Sequence, residues 1–142
     1  MRSKTPLVLM EQVIMVLVFA LAAALCLRMF VFSDQMSERN EHIDHAVLLA
    51  QNTAEMLKAC GGVEEAAAIV GGTIQQTLWS VHYNEDLTPA TDADSACYHV
   101  DVLPQGSGVD GLGQAHIEVF LQDEQEGLFA LTVAWQEVNS NG

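Results

Sequence analysis

Five histidines are the residues with the clearest potential for metal chemistry. His82, His99 and His116 are equally spaced along the chain, and three imidazoles brought together by a sheet form a zinc ligand set. His42 and His45 are three residues apart, so a helix would present both on one face. Equal spacing also arises among unrelated surface residues, and acidic neighbours of the histidine pair are typical of a solvated helix face. We therefore predict no metal site.

Acidic side chains offer a second set of possible ligands. Asp92, Asp94 and Asp101 carry the carboxylate oxygens that calcium prefers, but their spacing matches no complete calcium-binding loop. Acidic solvation is the interpretation that we favour. The sequence also contains no nucleophile paired with a base and no cofactor fingerprint. We predict a protein that is not an enzyme and has no cofactor.

Three cysteines allow one structural disulfide. Cys26 lies in an apolar run and is most simply a small apolar side chain. Cys60 lies at the predicted end of a helix and Cys97 at the predicted start of a strand. The two could form a disulfide, because an exported domain meets a less reducing environment than the cytosol. A Cys60–Cys97 disulfide and two free thiols therefore both remain open.

The charge of the chain excludes one class of partner. The 142 residues contain 5 Lys+Arg and 19 Asp+Glu, giving a formal net charge of -14. From Cys60 to the C-terminus there is no Lys or Arg at all. Nucleic-acid binding depends on a basic surface, so we predict that nucleic acid is not a partner.

The N-terminal part of the chain has the composition of a membrane span. Leu7 to Leu27 is apolar except for Glu11 and Gln12, and a helix of this length reaches about 30 Å, the thickness of the hydrocarbon core. The short basic start, with Arg2 and Lys4, favours a cytoplasmic N-terminus. The acidic remainder is then extracytoplasmic, and membrane lipid is a partner. A cleaved signal peptide is the alternative, but the apolar run continues too far beyond its alanines.

Glu11 is the one charged side chain inside this apolar run. A charge at the centre of a bilayer costs about 2.5–3.5 kcal/mol on the lower scales. Glu11 lies one turn inside the run, so an interfacial carboxylate without a special role is one interpretation. A carboxylate that pairs with a cation on a neighbouring helix is the other.

Basic residues, then Leu7-Val8-Leu9-Met10-Glu11, then a long apolar helix without breakers resembles the N-terminus of type IV pilins and of the pseudopilins of type II secretion and competence systems. The resemblance implies a leader cleaved between Pro6 and Leu7, although this family usually has Gly or Ala before the cut and Phe after it. It also implies that Glu11 pairs with the α-amine of Leu7 in a neighbouring subunit. Other pilin-like subunits are then the partners of the apolar helix.

Beyond the span, the residues from Ser33 to Ala59 predict a continued amphipathic helix. Its apolar stripe has helical spacing and consists of Met36, Ile43, Val47, Ala50, Ala54 and Leu57. The stripe is short and poor in Leu and Ile, which is weak for a coiled coil. We expect it to pack on the protein's own C-terminal sheet.

The C-terminal region changes from helical to strand periodicity. A short helix over residues 63–70 lies between two Gly-Gly pairs. Alternating apolar and polar residues then predict four antiparallel strands, within residues 77–83, 97–103, 115–121 and 128–135. The predicted fold is α+β, a long N-terminal helix packed on a four-stranded antiparallel sheet.

These features predict four regions and two hypotheses for function. The regions are a basic leader or cytoplasmic tail (1–6), a transmembrane helix (7–32), an amphipathic extracytoplasmic helix (33–59) and an acidic β-rich domain (60–142). One hypothesis is a pilin-like structural subunit, in which Glu11 sets the register between copies. The other is a single-pass protein that does not polymerise and presents its acidic domain as a binding or sensory module.

Overall fold

The computed structural model describes residues 5–137. The chain divides into two compact units, Met1–Asn40 and Glu41–Gly142. The elements in chain order are α1 (Thr5–Cys60), α2 (Val63–Val70), β1 (Thr73–Gln75), β2 (Leu78–Tyr83), a 3₁₀ turn (Ala93–Ser95), β3 (Tyr98–Gly106), β4 (Leu112–Leu121) and β5 (Gly127–Gln136). The predicted α+β class is confirmed.

The long helix begins and ends where the sequence predicts, within two residues. No Gly or Pro interrupts it between Leu7 and Ala59, and both residue types weaken a helix interior. Gly61 ends the helix with a positive φ of 78°, and its N–H donates to the Leu57 carbonyl oxygen at 2.9 Å. Only glycine adopts this left-handed conformation without strain, which makes it the usual residue after a helix C-terminus.

The sheet is an antiparallel meander of five strands in the order β1-β2-β3-β4-β5. The four predicted strands correspond to β2 to β5. The additional strand, β1, has three residues, all exposed. Such a short segment shows no measurable alternation, so its pairing with β2 was not visible in the sequence. The predicted short helix over 63–70 is confirmed as α2.

Within the second unit, the last part of α1 packs on one face of the sheet. The buried helix positions have helical spacing and are Ala46, Leu49, Ala50, Thr53, Ala54 and Leu57. Those from the sheet include Trp79, Val81, Tyr98, Val100, Val102, Ile117 and Val119. This confirms the helix-on-sheet packing that we expected in place of a coiled coil.

The predicted apolar stripe matches only part of the buried face of the helix. Ala50, Ala54 and Leu57 are buried as predicted, but Val47 is only half-buried and Met36 is 56% exposed and belongs to the first unit. The centre of the buried face is instead a row of alanines one turn apart. The small side chains of Ala46, Ala50 and Ala54, all buried, allow a close approach of the helix to the sheet.

Gly113 on β4 leaves the space that the Trp135 ring fills. The ring lies against Gly113 on the neighbouring strand, where a Cβ atom would overlap it, and Trp135 Nε1 donates to the Gly61 carbonyl oxygen at 2.9 Å. We expect Gly113→Val to displace the ring and to lower the free energy of unfolding by about 2–4 kcal/mol. Chemical denaturation followed by tryptophan fluorescence measures the change. Gly106→Val, where a Cβ atom meets nothing, is the matched control, and an equal loss in both variants would contradict the explanation.

Candidate functional site

The described part of the first unit is an apolar helix with exposed side chains. Every side chain from Pro6 to Asn40 is exposed, and among residues 5–137 one helix is long and apolar enough to cross a membrane. Phe19 and Phe30 are 76% and 80% exposed. Apolar surface on this scale is unfavourable in water, so in solution this part of α1 would need a cover of lipid or protein.

Glu11 is the only acidic residue between Leu7 and Ser33. Pro6 and Leu7 lie in the first turn of α1, and Leu7 is four residues before Glu11, so both residues are on the same side of the helix. Proline is favoured at this position because the first N–H groups of a helix have no intrahelical partner. Residues 1–4 of the predicted leader, including Arg2 and Lys4, lie outside the described residues.

Of the two states left open for Cys60 and Cys97, the structure has the free thiols, and Cys26 is free as well. Cys97 precedes Tyr98, which contacts His42 near the start of the second unit. Cys60 lies at the end of α1 beside Gly61, which bonds to Trp135 near the other end of the sheet. The helix rises about 27 Å between residues 42 and 60, whereas the Cα atoms of a disulfide lie within about 7 Å.

The two helix histidines meet at a buried phenol. Tyr98, the first residue of β3, is fully buried, and its hydroxyl lies 2.7 Å from His42 Nδ1 and 3.1 Å from His45 Nδ1. A phenol has one proton to donate and lone pairs to accept with. The hydroxyl can therefore donate to one imidazole and accept from the other, which fully satisfies the buried group. The predicted solvated helix face is wrong here, because both histidines are half-buried.

Burial raises the pKa of Tyr98 to about 12, and neighbouring Cys97, Glu85 and Glu41 add to the effect. The folded state therefore keeps the phenol neutral between pH 10 and 12, where the unfolded chain ionises. Stability from this group is complete below pH 10 and is lost as the pH rises toward 12, by roughly 2 kcal/mol. Thermal unfolding of the full chain in detergent, followed by circular dichroism, measures this loss.

Tyr98→Phe cannot ionise and is expected to remove most of that alkaline loss. A smaller part remains, because burial also raises the pKa of Tyr83. An alkaline loss of equal size in the wild type and in Tyr98→Phe would contradict the explanation.

The three strand histidines do not form one site. His82 and His99 are opposite each other on β2 and β3, with ring centroids 6.0 Å apart, and His99 stacks on Phe120 at 4.6 Å. His116 is opposite Leu103 instead, four residues beyond His99 on β3. Burial lowers the pKa of His99, and His82 adds to this while Asp101 opposes it. The lowered pKa favours the neutral imidazole.

The aspartates considered as calcium ligands are also separated. Asp92 caps the short 3₁₀ turn by accepting from the Asp94 N–H at 3.2 Å. Asp101 lies on β3, where it accepts from the Ser80 hydroxyl at 2.5 Å. Among residues 5–137, no group of three or more His, Cys, Asp or Glu side chains has the arrangement of a metal site.

No family model matches the chain, and no curated protein or solved structure is significantly similar to it. The features that bear on function are therefore those of the chain itself. They are the uncovered apolar helix with one carboxylate, and an acidic helix-and-sheet unit joined to it through α1.

Proposed function

We propose that this protein is a membrane-anchored, pilin-like structural subunit, a minor pilin or pseudopilin of a type IV pilus, a type II secretion system or a competence apparatus. The observation that supports the proposal most is the helix α1. Its first part exposes apolar side chains on all sides, and its last part packs on an antiparallel sheet through a stripe of small residues. A subunit of this kind is stored in the membrane and is later extracted into a helical core.

Exposure on every side of the first part of α1 supports assembly with other copies. A helix that packs on a single partner has a narrow apolar stripe and polar residues over the rest of its surface. In the first unit the exposed apolar residues are instead distributed around the helix, as a span in lipid and a helix inside a bundle both require. The same exposed side chains therefore suit the helix both in lipid and in a core of identical helices.

The lone carboxylate separates assembly from simple anchoring. A carboxylate among packed apolar helices is tolerated only beside a cation. Cleavage after Pro6 would create an α-amine at Leu7, one turn from Glu11, and a neighbouring subunit would present this amine to Glu11.

We place the N-terminus in the cytoplasm before cleavage and the acidic unit outside the membrane, because the described part of the second unit has Lys58 as its only Lys or Arg.

The alternative is a single-pass protein that does not polymerise and uses its acidic unit for binding or sensing. The observation that favours it is the charge of residues 41–137, which contain sixteen of the 19 acidic residues; the exceptions are Glu11, Asp34 and Glu38. Such a surface suits recognition of a basic partner. The two functions differ in whether copies of α1 contact each other.

Photo-cross-linking in the membrane of the native cell tests this difference. A photoreactive phenylalanine analogue replaces Phe19, which is exposed in the apolar run. The proposal predicts a ladder of dimers and larger species on illumination. The same analogue at Phe129, a half-buried residue packed against the core of the second unit, is the matched control and should give no ladder. Products with lipid alone at position 19 would support the non-polymerising alternative.

A further inference from the structure

The β5 strand is a long open edge of the sheet. It is the last strand in the order, pairs with β4 on one side, and has ten residues. Within residues 5–137, no other strand or turn pairs with its outer side. The other edge strand, β1, has three residues. Nearly all of the unpaired backbone at the edges of this sheet therefore belongs to β5.

The register identifies the backbone groups that face outward. The Glu137 N–H donates to the Gly111 carbonyl oxygen at 2.9 Å, so this opposed pair is a hydrogen-bonded one. Such pairs alternate along an antiparallel ladder, which assigns the bonds toward β4 to Val133 and Trp135. The N–H and C=O groups of the alternate residues Ala130, Thr132 and Ala134 point away from β4, and all three residues are exposed.

Beyond its first residues, β5 has none of the usual protection of an edge strand. Natural edges carry charges, prolines or bulges that prevent pairing with other chains. The sequence from Gly127 to Gln136 contains no charged residue and no proline, and the one irregularity in its pairing lies near its start, beside Val119 and Phe120 of β4. An edge of this length without protection is a template for an added strand.

An open groove runs along this edge between β5 and α1. Its helix side includes Gln51, Glu55 and Lys58, and its strand side includes Leu131 and Val133. Both walls belong to the second unit. A strand added to β5 would place alternate side chains into this groove and the others on the outer face of the sheet.

Charge selects among the possible occupants of the edge. Residues 41–137 carry sixteen acidic residues and one Lys or Arg, Lys58. Two copies paired through β5 would bring two such surfaces together, and like charges repel. A partner with Lys and Arg side chains is attracted by the same surface.

We propose that β5 binds an extended, Lys/Arg-containing segment of another protein, which adds to the sheet as a sixth strand. Backbone hydrogen bonds to Ala130, Thr132 and Ala134 hold the segment, and the acidic surface selects its charge. This inference is independent of whether α1 assembles into a filament.

Amide hydrogen exchange of the full chain in zwitterionic detergent micelles tests the proposal with two synthetic probes. One is a ten-residue peptide that alternates valine and lysine, and the other alternates valine and glutamate. The proposal predicts that the lysine peptide slows exchange at Thr132 and Ala134 by about tenfold or more, that added salt weakens this effect, and that the glutamate peptide has no effect. No slowing by the lysine peptide, or equal slowing by both, would overturn it.

Slow exchange at Thr132 without any peptide would also overturn the proposal. If that protection rises with protein concentration, a second copy covers the edge. If it is independent of concentration, the chain's own C-terminal residues cover it.

Ala134→Pro removes one outward N–H, and proline is tolerated at such edge positions. We expect it to weaken binding of the lysine peptide by about tenfold or more, while the Val133 amide stays protected. Ile74→Pro makes the same change on the opposite edge, since the pairing of β1 with β2 leaves the Ile74 backbone outward, and should leave binding unchanged. If Ala134→Pro does not fold, Ala134→Lys keeps the N–H and should weaken the same peptide by charge. Wild-type affinity in a folded Ala134 variant would contradict the assignment.

Discussion

Replacing Glu11 with glutamine is expected to abolish the cross-linked ladder formed through position 19 while leaving membrane insertion intact. Glutamine has nearly the same size and keeps the hydrogen-bonding capacity, but it cannot pair as a charge with the α-amine of Leu7 on a neighbouring copy. Removing one partner of a buried ion pair costs about 3–5 kcal/mol, which is more than about a hundredfold in association. The yield of cross-linked species on a denaturing gel measures the loss.

Gln12→Ala is the matched control for this experiment. It changes the neighbouring polar residue in the same apolar run without altering charge, and we expect the ladder to remain. Resistance to carbonate extraction shows that each variant is still inserted. A full ladder in Glu11→Gln would contradict the role of the carboxylate, and loss of the ladder in both variants would indicate that general helix packing is responsible.

Ala50→Glu is expected to unfold the second unit. Ala50 is fully buried on the face of α1 that packs on the sheet. No cation lies within the described core, and the row of alanines leaves no room for a longer side chain. Burying an unpaired carboxylate and overfilling the core each destabilise the folded state. Their combined cost exceeds the lower end of the stability range of small domains, which is about 5–15 kcal/mol. Loss of the β-sheet signal in circular dichroism and rapid proteolysis beyond residue 40 measure the effect.

Leu48→Glu places the same residue on the opposite side of the same helix. Leu48 is 47% exposed, so its replacement should change the free energy of unfolding by less than about 1 kcal/mol. A folded Ala50→Glu variant, or equal destabilisation by both substitutions, would contradict the assignment of the buried helix face.

The fold was largely predictable because its signals are local. The continuous helix follows from the absence of Gly and Pro over more than fifty residues, and its end follows from Gly61. Four strands follow from alternation, which repeats over enough residues in each to be recognised. β1 has three residues and lies below that limit.

The polar contacts were less predictable because they depend on how the helix is positioned against the sheet. Neither the spacing of His42 and His45 nor the alternation of β3 indicates that both imidazoles reach the hydroxyl of Tyr98. The same applies to Cys60 and Cys97, whose separation follows from the direction of α1 along the sheet. The one available signal was Tyr98 itself. A tyrosine that is buried at the start of a strand needs a hydrogen-bond partner for its hydroxyl.

The N-terminal sequence of the chain isolated from its native membrane tests the central claim most directly. If copies assemble through α1 with Glu11 paired to a neighbour, intact-mass spectrometry should find a mature chain that begins at Leu7, with or without a methyl group on its amine. A chain that begins at Met1 or Arg2, in a cell with an active prepilin peptidase, has no amine at this position and would contradict the claim.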